Sequence, residues 1–160
     1  MKVNVTAIKI GHGLGDITFG DTKEKIKHLL GEPGEVDTFN ASGEEDGYLT
    51  EAWHYDDQEF SLSFDEEDNW RLTTISISSP ESLYNGHQLI GKSMEEVMKL
   101  IDADELGENE LDDLSDEGID QKLIGFLRAS LNLWFENGDL TEIQWGVLWS
   151  NEDTPSWPEN

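Results

Sequence analysis

The chain has 160 residues, with 36 Asp and Glu against 10 Lys and Arg, a formal net charge of −26 and a pI near 4.1. Such a surface repels nucleic acid and anionic membranes and attracts basic proteins, whose encounter it accelerates. Cysteine is absent, which excludes disulfides, thiolate metal sites and cysteine nucleophiles. A hydrophobic share of 36%, with six Trp and six Phe, is enough to build a core at this length.

The N-terminal residues alternate in polarity instead of carrying a long apolar run, so the expectation is a cytoplasmic chain with neither signal peptide nor membrane span. Residues 3–10 are β-prone and predict a strand. A glycine-rich connector, Gly11-x-Gly13-x-Gly15, follows. It lacks the last glycine of the dinucleotide fingerprint and enters an extended segment, so no phosphate site is expected there. Residues 17–19 lead into a helix predicted over 22–30, capped by Thr22 or Asp21 and stopped by Gly31 and Pro33. Residues 31–50 read as a Gly- and acid-rich loop, poorly ordered at 41–47. Three strands are expected next, over 51–55, 59–64 and 70–78. Trp53 and Tyr55 share one face, as do Phe60, Leu62 and Phe64. Such alternation predicts a sheet with one face on a core and one in water.

The order then recurs. Gly91 to Ile101 lies 71 residues after Gly20 to Leu30, and Ser93 with Glu96 forms a capping box for a helix over 93–101. An acidic stretch, 102–120, holds ten carboxylates in nineteen residues. Ile124 and Phe126 stand 71 residues after Trp53 and Tyr55, and Leu131, Leu133 and Phe135 stand 71 after Phe60, Leu62 and Phe64. Asn137-Gly138 is a hairpin turn signal, and the stretch from Leu140 to Trp145 matches that from Leu72 to Ile77 after a short deletion. The expectation is an α+β fold: one domain of two tandem helix-plus-antiparallel-meander repeats, 1–80 and 81–150, with a loose tail over 151–160. The two repeats could form one continuous or concave sheet.

Few residues carry chemistry. Asp102-x-Asp104-x-Leu106-Gly107 resembles the start of a calcium loop, but Leu occupies its fifth place and Asp113 its twelfth. The four histidines have no helical metal spacing, and no nucleophile elbow is present. Carboxylates are so abundant that any pair could be read as acid and base, so no enzyme and no cofactor is expected. Trp134 alternates away from Leu133 and Phe135 and would stand on the face opposite the core. An aromatic rimmed by carboxylates suits an interface.

The stretch from Ile17 to Gly20, with Thr22, Ile26, Leu29-Leu30-Gly31 and Pro33, resembles the signature of the BamE/SmpA superfamily. The tandem arrangement is similar to that of the β-lactamase inhibitor proteins, and small acidic proteins of this type resemble immunity proteins of bacterial toxins. The resemblance implies helices on a small antiparallel sheet and a non-catalytic binder. The expected function is therefore an acidic inhibitor module, an immunity protein that neutralises a basic toxin such as a nuclease, binding neither nucleic acid nor membrane. The expected partner-binding residues are the turn Asp65, Glu66, Glu67 and Asp68, the loop Asp112, Asp113, Asp116 and Glu117, and Trp134. The alternatives are a weakly calcium-binding or housekeeping adaptor and an enzyme with a carboxylate site.

Overall fold

The structure, a computed structural model, describes residues 4–40, 47–101, 106–149 and 155–158. Strands β1 (Ala7–Lys9), β2 (Gly13–Leu14) and β3 (Ile17–Thr18) precede helix α1 (Lys23–Leu30). Four strands follow: β4 (Glu35–Phe39), β5 (Thr50–Tyr55), β6 (Phe60–Asp65) and β7 (Arg71–Ile77). A short hairpin, β8 (Leu83–Tyr84) and β9 (His87–Gln88), leads to helix α2 (Met94–Leu100). Four more strands come next: β10 (Glu110–Asp113), β11 (Gln121–Phe126), β12 (Leu131–Glu136) and β13 (Asp139–Gly146). A final pair, β14 (Leu148–Trp149) and β15 (Pro155–Ser156), closes the described chain.

These strands form two large sheets. Eight are antiparallel in the order β10-β11-β12-β13-β7-β6-β5-β4, and five form a smaller sheet in the order β3-β2-β1-β8-β9. Within the smaller sheet β1 pairs with β8 in parallel. The expected α+β fold of helix-plus-meander repeats is therefore corrected to a predominantly β chain whose helices span only eight and seven residues. Two physical reasons account for the difference. The segments read as loops, 31–50 and 102–120, supply β4 and β10, which pair along their full length with β5 and β11 although every residue in them is exposed. The segments before each helix build the second sheet. Residues 41–46, expected to be poorly ordered, and most of the tail, 150–154 and 159–160, lie outside the described residues.

Both helix starts have a capping side chain. Thr22 Oγ1 accepts from Lys25 N at 3.2 Å and Ser93 Oγ from Glu96 N at 3.2 Å, which satisfies backbone donors at each helix entrance. Each helix is tied to the large sheet by the same pair of backbone bonds. Gly20 N donates to Leu72 O and Leu72 N to Asp21 O; Gly91 N donates to Leu140 O and Leu140 N to Lys92 O. Gly20 and Gly91 have φ of 96° and 90°, a conformation that side chains resist.

The core lies on one face of the large sheet. Trp53, Tyr55, Phe60, Leu62, Phe64, Leu72, Ile75 and Ile77 are buried there with Ile124, Phe126, Leu131, Leu133, Phe135, Leu140, Ile143 and Trp145. Ile26 of α1, Val97 of α2, and Ile8, Leu14 and Ile17 of the small sheet join the same cluster. Trp145 Nε1 donates to Gly13 O at 3.2 Å, fastening one sheet to the other. Because this core runs unbroken across the β7–β13 pairing, Ile75→Ala is expected to cost about 2–4 kcal/mol while denaturation remains one transition. Two separable transitions in urea would show that the halves on either side of the pairing unfold independently.

Candidate functional site: the open face of the large sheet

Strand alternation that buries one face sends the opposite side chains to the other. On that face Glu110, Gly125, Asn132, Gln144, Ser76, Ser61, His54 and Glu35 form one cross-strand row, and Asp112, Leu123, Trp134 and Glu142 form another. Most of the central members are small or polar and are half-buried instead of being sealed in a core.

Two depressions mark this face. One, of about 570 Å³, is lined by Glu108, Asn109, Glu110, Asp112, Leu123, Gly125, Leu127 and Asn132. The other, of about 500 Å³, shares Leu127 and Asn132 and extends past Gln144 and Gly146 to Thr74 and Asp65. Both volumes fall in the range of ligand sites. Leu127, in the β11–β12 turn, is 92% exposed at their common edge.

The sequence-predicted residues divide by place. The 65–68 turn joins β6 to β7, whereas 112–117 lies at the end of β10, beside the β12–β13 turn, where Asn137 N donates to Asp120 O. The antiparallel register puts these two acidic clusters at opposite ends of the large sheet. Asp65, Asp112 and Trp134 share the open face. Asp113 falls on the other side of β10, and Asp116 pairs with Ile119 in a tight turn in which Glu117 has a φ of 43°.

Several of these carboxylates hold structure. Asp65 accepts from Thr50 Oγ1 at 2.6 Å and Thr73 Oγ1 at 2.7 Å, and Glu66 Oε1 accepts from Leu49 N at 3.1 Å. Asp68 is only partly buried, yet desolvation, with Asp65 and Glu67 beside it, pushes its carboxyl above the usual range. Asp113 is held below that range by hydrogen bonds from the Ser115 side chain and backbone, with Lys122 adding to the effect. Glu51, on the core side, is raised by burial. That effect is outweighed by hydrogen bonds from Trp53 Nε1 at 2.6 Å and Lys23 Nζ at 3.0 Å, and by the Lys23 and Lys27 charges, so its carboxyl ends lower than normal.

The sequence did not reveal a row on the opposite flank. His54 Nδ1 lies 2.7 Å from Ser61 Oγ and His54 Nε2 lies 2.9 Å from Asp37 Oδ2. The three residues come from adjacent strands, so only the register brings them together. A serine nucleophile also needs preorganised donors for the oxyanion. Ser61 is mid-strand, paired with His54 on one side and Ser76 on the other, which commits the nearby backbone donors to the ladder. The row ties edge strand β4 to β5 and β6.

Trp134 stands on the open face between Leu123 and Glu142. Its Nε1 is buried with no hydrogen-bond partner among the described residues. An indole N–H so placed forfeits about 1–3 kcal/mol. Among the described residues no group of three or more His, Asp or Glu is placed to hold a metal ion. Asp102 and Asp104 of the calcium-like stretch lie outside the described residues. No described helix is long and apolar enough to cross a membrane.

No family model and no curated protein matches the chain. Among solved structures it is similar to an extracellular protein containing a SCP domain from Bacillus anthracis, at 15% identity and a TM-score of 0.45, over 81% of this chain and 44% of that one. The chain thus spans less than half the length of that protein. The resemblance to the BamE/SmpA superfamily and the β-lactamase inhibitor arrangement is corrected on these findings. The comparisons return neither, and the described residues are mostly β-sheet, with α1 and α2 only eight and seven residues long.

Two outcomes test the site's energetics. Because the raised Asp68 carboxyl disfavours the ionised form in the fold, its cost is present above the folded pKa and vanishes as pH falls through the normal carboxylate range. Asp68→Asn should therefore raise the melting temperature at pH 7 and lose that gain below about pH 4. An equal gain at both pH values contradicts the assignment. Trp134→Phe removes the N–H without a partner but also some packed ring volume, and because these effects oppose each other stability measured in urea should change by less than about 1 kcal/mol. A loss above about 2 kcal/mol would mean that the nitrogen has an acceptor.

Proposed function

We propose that the chain is a non-catalytic binding module that holds a basic protein against the open face of its large sheet. The observation that carries this reading is the combination of that half-buried polar face with acidic clusters at both of its ends, in a chain of net charge −26. Like charges crowded on one surface lower the stability of the unbound protein by self-repulsion, and a cationic partner relieves that repulsion on binding.

In its finer form the module is an inhibitor, an immunity protein that covers the cationic site of a basic bacterial toxin such as a nuclease, in the cytoplasm. Carboxylates mimic the phosphates that such a site recognises, and Trp134 supplies an aromatic of the type that anchors interfaces. Asp65, Glu66, Glu67, Asp68, Asp112, Asp116, Glu117 and Trp134 are the contact residues of this reading, and Asp113, on the other side of β10, drops out of it. Asp65 and Glu66 contribute less than their charge suggests, since their oxygens already accept hydrogen bonds.

Titration with polylysine measures the electrostatic part directly. Affinity should fall by at least about tenfold between roughly 50 and roughly 500 mM salt, as screening shortens the range of the charges. No binding, or binding indifferent to salt, overturns the proposal.

A further inference from the structure

The β10–β12 end of the open face differs from the rest of it in three ways. First, Gly125 sits in the middle of β11, between Glu110 and Asn132 in the cross-strand row. A glycine inside a strand weakens it and leaves a hollow where another group can approach closely. A Cβ built there would come within 3.2 Å of Asn132 Oδ1, so any larger residue at this position would crowd the depression and the Asn132 side chain beside it. Second, two leucines line the depression, Leu123 on the strand and Leu127, almost fully exposed, in the adjoining turn. Third, Glu108, Glu110 and Asp112 line it, and none of them forms an ion pair among the described residues. At the opposite edge Asp37 is engaged by His54 at 2.9 Å, and among the described residues Glu35 stands there without two further carboxylates gathered around a depression.

A depression that combines two leucines with three carboxylates matches the chemistry of a long basic side chain, which lays its methylene stem on apolar surface and keeps its charged head among acceptors. We infer that this depression is the anchor subsite of the basic partner and takes a lysine or arginine side chain, the stem over Leu123 and Leu127 and the head among Glu108, Glu110 and Asp112. This inference rests on the binding-module reading above and deepens it. It places the anchor at one end of the sheet and assigns Gly125 the role of keeping the subsite open. Trp134, cross-strand from Leu123, stands next to it on the same face.

The test uses a short fluorescein-labelled peptide of alternating Lys and Ser as probe, with anisotropy as readout at roughly 50 mM salt. Gly125→Val fills the depression without changing the charge and adds a β-branched residue to a strand, and the Asn132 side chain on the open face, 3.2 Å from the new Cβ, must shift by a few tenths of an ångström to admit it. The expected result is a loss of affinity of about tenfold or more. Leu127→Ser, at a position too exposed to affect folding, should lose about threefold and supplies the answer if Gly125→Val does not fold. Asp57→Asn with Glu81→Gln removes two carboxylates remote from the hollow and should change affinity by less than about twofold. Equal binding by wild type, Gly125→Val and Leu127→Ser overturns the subsite while leaving the basic-partner reading intact. Failure of the wild type to bind the peptide and polylysine alike overturns both.

Discussion

The pairing of β7 with β13 is the interaction on which the rest of the structure depends. Each is the last strand of a four-stranded block, and they meet antiparallel with Ile143 opposite Ile77 and Trp145 opposite Ile75. All four side chains are at most 1% exposed. This pairing removes two sheet edges at once. Without it, each block would expose a hydrophobic strand with unpaired backbone groups, a template for aggregation. With it, the surviving edges are β4 and β10, whose carboxylates, Glu35, Asp37, Glu110, Asp112 and Asp113, discourage further pairing.

A sheet of this width needs cover on one side. The two short helices and the five-stranded sheet provide it, and Trp145 does double duty as a seam residue and as the donor to Gly13 O between the sheets. All of that cover is on one side. The polar alternates on the other side, from Glu110 across Gly125, Asn132, Gln144 and Ser76 to His54, form a platform whose breadth follows from the seam. Charge then shapes the platform's chemistry. The basic side chains that could neutralise acids are largely spent elsewhere: Lys23 on Glu51, Lys25 on Asp21 and Lys99 on Glu95.

Local signals were readable where local physics decides the outcome. Thr22 and Ser93 cap helices because a hydroxyl three residues ahead of a free N–H suffices. Phe60, Leu62 and Phe64 are buried because strict alternation leaves them no other face. The fold class was misread because β4 and β10 carry no buried residue, so their strand character comes only from the neighbours they pair with. The strands of the smaller sheet are two or three residues long, too short for a periodic signal. At the site, alternation placed Trp134 on the open face, but neither its unpartnered nitrogen nor the hollow at Gly125 has a sequence signature. The separation of the two acidic clusters, and the meeting of Ser61, His54 and Asp37, follow from register alone.

The most direct measurement is a residue-resolved map of backbone amide chemical shifts on addition of a basic polypeptide. If the open face is the binding surface, the largest changes will fall on Gly125, Asn132, Trp134, Gln144 and Ser76, with α1 and α2 unaffected. Changes centred on the helices or on the five-stranded sheet, or spread evenly over the acidic surface, would contradict the account.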